Sequence, residues 1–218
     1  MSYPYSPIET YADGAVHVVG ISAAVTGIVL ILVFAAGTLP AAELTAVSIY
    51  GALIILSFAA SAAYHLNPFP GVRRVLRRID HAAIYLKIAG TYTPFVVMVG
   101  SAFCYGLLAA IWAIAAGGAW LRLCGHQLSH ATHTAIYLCL GWAAVLLIWP
   151  LASVLPIASL ALMLAGGAAY TLGALFFLQE DQVFLNAIWH GFVLAGSSCF
   201  FLAICLAVFA PEAQGVLR

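Results

Sequence analysis

Three residues suited to metal binding or proton transfer, His65, Asp80 and His190, occur in or at the ends of strongly apolar stretches. Asn186 precedes His190 by four residues, and Ser61 precedes His65 by four, so each pair shares one face of a helix. Two neutral imidazoles beside a carboxylate suit zinc, whose catalytic sites keep one position open for water. We expect Asp80 to act as general base or to hold the metal-bound water, and Ser61 to orient that water or to stabilise an oxyanion.

The composition places these residues in a membrane protein. Of the 218 residues, 65% are hydrophobic and 6% are charged, whereas a soluble domain is about 45–50% apolar and about 25% charged. The formal net charge is zero, which argues against nucleic acid as a partner because binding it needs a basic stripe. The five cysteines lack CxxC spacing, which is typical of small buried side chains and not of disulfide frameworks or zinc ribbons.

Seven stretches are long and apolar enough to cross a bilayer, which takes about 20 residues. Pro150 and Pro156 divide the uncharged stretch 134–179 into two of them. The predicted helices are Ala15–Gly37, Leu44–His65, Ile79–Gly100, Ser101–Leu121, Thr134–Trp149, Leu155–Leu178 and Val183–Ala210. Because the connections are short, we predict an all-α, polytopic seven-transmembrane helix bundle that forms a single domain over residues 1–218. The first twelve residues carry no basic segment, so we expect no cleaved signal peptide.

The arginines indicate the orientation of the bundle. Four lie in the predicted loop between the second and third helices, and a fifth lies at the end of the fourth helix; they are Arg73, Arg74, Arg77, Arg78 and Arg122. The positive-inside rule assigns both connections to the cytoplasm, which puts the N-terminus in the cytoplasm and the C-terminus outside. We expect this orientation in a bacterial inner (plasma) membrane.

With the seven helices crossing the membrane in this orientation, the polar residues come to one depth in the bilayer. His65 ends the second helix at the cytoplasmic side, Asp80 begins the third helix there, and His190 lies early in the seventh. Ionisable residues inside spans are costly and are functional candidates by default; the alternative is a set of ordinary interfacial histidines. We expect His17 to be structural, because it has no evident partner at its depth. His81 points about 100° away from Asp80 around the helix, which favours a packing or interfacial role.

Two features stand outside this group. Lys87 follows Asp80 by seven residues, so it lies on nearly the same face and about 10 Å deeper. It could contact a substrate carbonyl or phosphate, pair with Asp80 through water, or pack as a lysine that desolvation keeps neutral. His126, His130 and His133 would form a helical stripe able to bind a transition metal, although a solvated, histidine-rich turn is the commoner explanation of such spacing.

These motifs resemble those of the haemolysin III family, relatives of the progestin and adipoQ receptors and of the alkaline ceramidases. The segment Ser61–His65 is similar to the family's S-x3-H element. Similarity to its third, sixth and seventh helices is carried by Arg78–Tyr85, Ala89–Phe95, Gly166–Gly173 and Ile188–Ser197. The resemblance extends from about residue 8 to residue 208.

The resemblance implies a zinc ion near the cytoplasmic face, bound by one histidine of S-x3-H and two of H-x3-H, with the third-helix aspartate beside the metal-bound water. His65, Asp80 and His190 match these positions. Asn186 replaces the first histidine of H-x3-H, and a neutral amide is a weak zinc ligand. Either Asp80 binds the metal directly while Asn186 holds a water, or the site binds metal weakly or not at all.

A further family histidine in the seventh helix is replaced by Phe200. The neighbouring Cys199 lies well along the helix from His190, so it is a poor substitute ligand.

Three functions are compatible with these features. The leading hypothesis is a zinc-dependent, ceramidase-like membrane hydrolase that acts on an amide or ester bond of a membrane lipid near the cytoplasmic face, with Lys87 as a possible substrate contact. A receptor-like or membrane-homeostasis protein, with a structural or lost metal site and lipid as ligand, shares every motif. A pore-forming haemolysin ranks third, because a pore needs a polar stripe along several helices and four of these helices carry too few polar residues.

Overall fold

The computed structural model describes residues 6–126, 129–178 and 183–210, with the side chains of residues 130 and 131 outside the description. All regular structure within these residues is helical. The helices are α1 (Pro7–Ala35), α2 (Ala41–His65), α3 (Pro70–Val99), α4 (Ala102–Leu123), α5 (His130–Trp142), a 3-10 helix (Ala143–Leu147), α6 (Ile148–Ala152), α7 (Ile157–Phe177) and α8 (Leu185–Phe209). Seven helical segments of the described chain could cross a membrane by length and composition. The prediction of an all-α, seven-span protein is confirmed.

The first helix begins eight residues before its predicted start, at Pro7 instead of Ala15. Ser6 caps it: the Ser6 hydroxyl oxygen accepts a hydrogen bond from the Glu9 N–H at 3.3 Å, and the Glu9 carboxylate accepts one from the Ser6 N–H at 3.0 Å. This reciprocal cap satisfies backbone donors that the helix itself leaves unpaired, and proline suits the first helical position. The two additional turns bring Asp13 into the helix.

The arginine-rich segment is helical and not a loop as predicted. α3 begins at Pro70 instead of Ile79, so the four arginines lie in its first turns. It ends at Val99, and the following Gly100 has a φ of 70°, which favours glycine. In the most apolar window of α3, 61% of the residues are buried, against at most 44% in any other described span. The helix that carries Asp80 and Lys87 is therefore the most enclosed one.

The fifth span continues through Pro150, where a helix end was predicted. It consists of α5, the 3-10 helix and α6, which extends to Ala152. Pro150 is the third residue of α6, where the missing N–H has no acceptor within that helix. Pro156 directly precedes α7, as the predicted division of the segment requires.

Helix packing brings the first, second and last helices together. α1 packs against both α2 and α8, and α8 also packs against α7. The α7–α8 contact depends on small residues: a Cβ added to Gly166 would lie 3.1 Å from the Gly196 carbonyl oxygen, and one added to Gly196 would lie 3.1 Å from the Gly166 carbonyl oxygen. Such close backbone approach is typical of glycine-mediated packing in membranes.

We expect Gly196→Val to destabilise the bundle more than Gly191→Val, because both add the same side chain to α8 but only position 196 faces another backbone. Overpacking costs about 1–3 kcal/mol, and position 191 has open space around a new Cβ. Thermal unfolding of both purified variants in one detergent measures the difference. Equal transition temperatures would contradict the close α7–α8 packing.

Candidate metal centre

Four helices bring polar side chains to one end of the bundle, which we call the arginine end because it carries the arginines of the first turns of α3. His65 is the last residue of α2, and Asp80 lies eleven residues into α3. His190 is in the second turn of α8, and Asp13 is in the second turn of α1. All four side chains are buried.

A contact between the starts of α1 and α8 aligns these two helices. The Glu9 carboxylate accepts a hydrogen bond from the Phe184 N–H at 3.0 Å. Phe184 precedes α8 and has a φ of 61°. Because the first turns of both helices are joined here, residues one to two turns further in, Asp13 and His190, come to the same depth.

Asp13 is the centre of the cluster. Its Oδ1 accepts a hydrogen bond from His190 Nδ1 at 2.6 Å, since an ionised carboxylate can only accept. Its Oδ2 lies 3.6 Å from His17 Nε2 and 3.8 Å from His65 Nδ1. One carboxylate therefore faces three imidazole rings.

Ser61 and Asp80 lie beside these rings. The Ser61 Oγ is 3.2 Å from His190 Nε2, on the opposite side of that ring from Asp13. When His190 is neutral, its Nδ1 donates to Asp13 and its Nε2 accepts from the Ser61 hydroxyl. On the other side of His65, Asp80 Oδ2 lies 4.0 Å from His65 Nε2. The cluster therefore offers both a proton-accepting imidazole and a second carboxylate.

Asp13, His65 and His190 form a group that could hold a metal ion. Each offers one ligand atom, and these atoms lie within 4.8 Å of one another. Two imidazoles and one carboxylate form a donor set known from catalytic zinc sites. In addition, the buried Nε2 of His17 has no hydrogen-bond partner in the described part of the chain, and its ring centroid is 4.4 Å from that of His190. These residues fit a divalent metal.

The structure thus changes the expected roles of three residues. His17 is not an isolated structural histidine, because it packs against His190 and faces Asp13. Asp13 was not among the predicted site residues. Asn186 lines the adjoining cavity, while the carboxylate that accompanies His65 and His190 comes from Asp13 of α1. The ligand role of Asn186 and the catalytic roles of Asp80 and Ser61 stay predictions.

Sequence reasoning missed Asp13 because the apolar run that defines the first span starts after it. Two signals could have found it. Ser6, Pro7 and Glu9 mark a helix start before Asp13. His17 follows Asp13 by four residues, so the two share a helix face.

The predicted stripe of His126, His130 and His133 is wrong as a continuous helical feature. α4 ends at Leu123, and α5 begins at His130, so His126 lies outside the helix that carries His133. The His130 side chain is outside the described residues. His133 is buried, with its Nδ1 2.9 Å from the Tyr85 hydroxyl. His81 accepts a hydrogen bond from Arg122 Nη2 at 2.6 Å, in keeping with the packing role expected for it.

A cavity of about 450 Å³ adjoins the cluster. Its walls include His17, Ser61, His65, Asp80, Lys87 and His190. Arg77 and Arg122 also belong to the wall, and aromatic and other apolar side chains line much of the remainder, among them Phe58, Tyr92, Phe95, Met163, Tyr170 and Phe200. A polar end and an apolar body are the combination that would accommodate an amphiphile, and the volume lies within the range of about 300–1,000 Å³ found for small-ligand sites.

Comparison with known proteins agrees with this architecture. Residues 9–201 match the family model described as haemolysin-III related. The chain is 34% identical to Hemolysin-3 of Bacillus cereus over 92% of each sequence. It is 31% identical to the Hemolysin-3 homolog of Bacillus subtilis (strain 168) over 90% of this chain and 92% of that relative. With seven helices in its described part that are long and apolar enough to cross a membrane, the chain is an integral membrane protein that belongs to the haemolysin III family.

Proposed function

We propose that this protein is a zinc-dependent membrane hydrolase that cleaves an amide or ester bond of a lipid. The observation that carries the proposal is the group formed by Asp13, His65 and His190, whose ligand atoms lie within 4.8 Å of one another. The group adjoins a cavity with apolar walls. A hydrolytic site for a lipid needs both features, a polar reaction centre and space for a hydrocarbon chain.

Asp13 is the residue that makes a zinc site chemically reasonable here. The family's H-x3-H pair has lost one imidazole at Asn186, and two histidines alone would bind zinc weakly. A carboxylate supplied by α1 restores three good ligands and adds a negative charge that attracts the cation. In this proposal Asn186 is a cavity residue and not a ligand.

When bound, zinc supplies a water acidic enough to act as a nucleophile near neutral pH and polarises the substrate carbonyl. Asp80 lines the cavity beside His65, so it is placed to accept a proton from water and to return it to the leaving amine or alcohol. Ser61 donates its hydroxyl hydrogen to His190 Nε2 and so holds that ring in its orientation, while the lone pairs of the hydroxyl oxygen remain able to accept a hydrogen bond. The apolar walls hold the acyl chain.

We further propose that the reaction centre faces the cytoplasm, and the positions of the arginines support this orientation. Four arginines lie in the first turns of α3, and Arg122 lies at the end of α4. By the positive-inside rule this end of the bundle faces the cytoplasm. The N-terminus is then cytoplasmic, the C-terminus lies outside, and the substrate comes from the inner leaflet of a plasma membrane.

A second candidate mechanism is favoured by the hydrogen bonds of His190. Ser61 Oγ, His190 and Asp13 follow one another at 3.2 Å and 2.6 Å, across Nε2 and Nδ1 of the same ring. This is the order and spacing of a serine hydrolase triad, in which the histidine takes the serine proton and the aspartate holds the histidine tautomer. The reaction class would be unchanged, but Ser61 would be the nucleophile.

The first prediction separates Asp13 from Asn186 as a ligand. We expect purified wild-type protein to contain about one zinc per chain and Asp13→Ala and His65→Ala to lose most of it. Asn186→Ala should keep its zinc, because a neutral amide is a weak zinc ligand beside two imidazoles and a carboxylate. Elemental analysis by mass spectrometry after gel filtration measures the ratio. Zinc retained in Asp13→Ala but lost in Asn186→Ala would overturn the ligand assignment, and zinc absent from the wild type would remove the metal mechanism.

The second prediction concerns the general base. Asp80→Asn should keep zinc and lower hydrolysis of fluorescent ceramide or acylglycerol by about 10²–10⁴-fold, the usual contribution of general acid–base catalysis. Arg74→Gln is the control for a charge change elsewhere on α3, because Arg74 is exposed. A zinc-loaded wild type that cleaves neither lipid would instead support the receptor-like function with a structural metal.

The third prediction distinguishes the two mechanisms. If zinc activates water, a chelator abolishes hydrolysis in the wild type, and a fluorophosphonate probe does not label Ser61. If Ser61 is the nucleophile, the probe labels wild type but not Ser61→Ala, and chelator-treated protein keeps its activity. Peptide mass spectrometry of the labelled chain reads the modified residue directly.

A further inference from the structure

Lys87 is a buried cation that the proposed hydrolytic machinery does not use. It lies on α3, its residue exposure is 6%, and it lines the cavity. Seven residues separate it from Asp80, which places it about 10 Å deeper along the helix. The two charges therefore occupy different levels of the same cavity.

Two aromatic rings lie close to the Lys87 ammonium. Its Nζ is 4.8 Å from the centre of the Tyr170 ring and 6.0 Å from that of Phe58. No hydrogen bond or ion pair of this ammonium is found among the residues that the structure describes. The cluster carboxylate of Asp13 is bonded to His190. Aromatic faces replace only part of the water that a buried ammonium loses.

The surroundings of Lys87 define the kind of anion that would pair with it. Most of the cavity wall near it is aromatic or aliphatic, so a small hydrated anion would lose its own water without gaining polar partners. An anion attached to a hydrocarbon chain would bury that chain against the apolar wall while its charge meets the ammonium.

We infer that the cavity is a binding site for a lipid anion, whose carboxylate or phosphate oxygens pair with the Lys87 ammonium while its chain lies against the aromatic wall. The inference does not require a metal or hydrolysis. It assigns to Lys87 the selection of anionic over neutral amphiphiles, a property separate from the chemistry at Asp13, His65 and His190.

The test measures binding of tritiated palmitate to the full chain in phosphatidylcholine nanodiscs by scintillation proximity. Hexadecyl phosphate and hexadecanol serve as competitors that share the chain and differ in the head. We expect saturable palmitate binding, with hexadecanol at least about 30-fold weaker, because removing one partner of a buried charge pair has an effect of this size. Whichever anion competes better identifies the carboxylate or the phosphate as the preferred head.

Substitutions at Lys87 and at a control position test whether the preference for anions comes from the Lys87 ammonium. Lys87→Met should lose the preference for anions, and Lys87→Arg should keep most of it. Arg74→Gln, which removes one positive charge from an exposed position of the same helix, should behave as wild type. Wild-type protein treated with a chelator should still bind palmitate, so that loss of the metal and loss of the anion site are told apart.

Several outcomes would overturn the inference: wild type binding hexadecanol as tightly as palmitate, no saturable binding of either anion, or Lys87→Met binding palmitate like the wild type. If Lys87→Met fails to fold, the wild-type contrast between palmitate and hexadecanol decides alone. Loss of palmitate binding on chelation of the wild type, together with undiminished binding by Lys87→Met, would assign the anion to the metal centre and overturn the role of Lys87.

Discussion

The arrangement of the site depends on one buried hydrogen bond, between the Asp13 carboxylate and His190 Nδ1 at 2.6 Å. A carboxylate within a membrane-spanning helix costs about 2.5–3.5 kcal/mol at mid-bilayer, so it persists only where polar partners surround it. The facing rings of His17, His65 and His190 provide those partners. The bond joins the first helix to the last and closes the bundle around the cluster.

The remaining contacts of the arginine end support this bond. The Ser6–Glu9 cap determines where α1 begins, and the Glu9 contact with the Phe184 N–H sets the level of α8 against α1. On the opposite side of the cavity, Arg122 donates to His81, and Tyr92 donates to the carbonyl oxygens of Leu140 and Gly141. The central helix α3 is thereby tied to α4 and α5, and the cavity between these helices keeps its shape.

Asn186 stands where the resemblance implies a metal-binding histidine. Across the bundle, Asp13 of α1 meets His65 and His190, and the ligand atoms of the three residues lie within 4.8 Å of one another. Because helices that pack side by side present their residues to a common space, a group able to hold a metal can include a residue from a helix that the expected motif does not contain.

The sequence alone was sufficient to predict the seven membrane-spanning segments. A helix that crosses a bilayer needs about 20 apolar residues. Because these residues are consecutive in the chain, each span can be recognised as an apolar stretch of the sequence. It was also sufficient to expect His65, Asp80 and His190 near one another, because successive spans reverse direction and these residues lie at span ends of the same side. The helix starts at Pro7 and Pro70 were misjudged because polar first turns carry no apolar signal.

Only the tertiary structure decided which residues share the site. Asp13 and His17 contact His190 because the face of α1 that carries them packs against α2 and α8. The side chains that determine this packing are far apart in the chain. The same is true of Lys87: spacing placed it on the face of Asp80, but only packing showed that its ammonium lies at a cavity and close to the rings of Tyr170 and Phe58. Periodicity describes one helix at a time, whereas a site between helices is a property of their contacts.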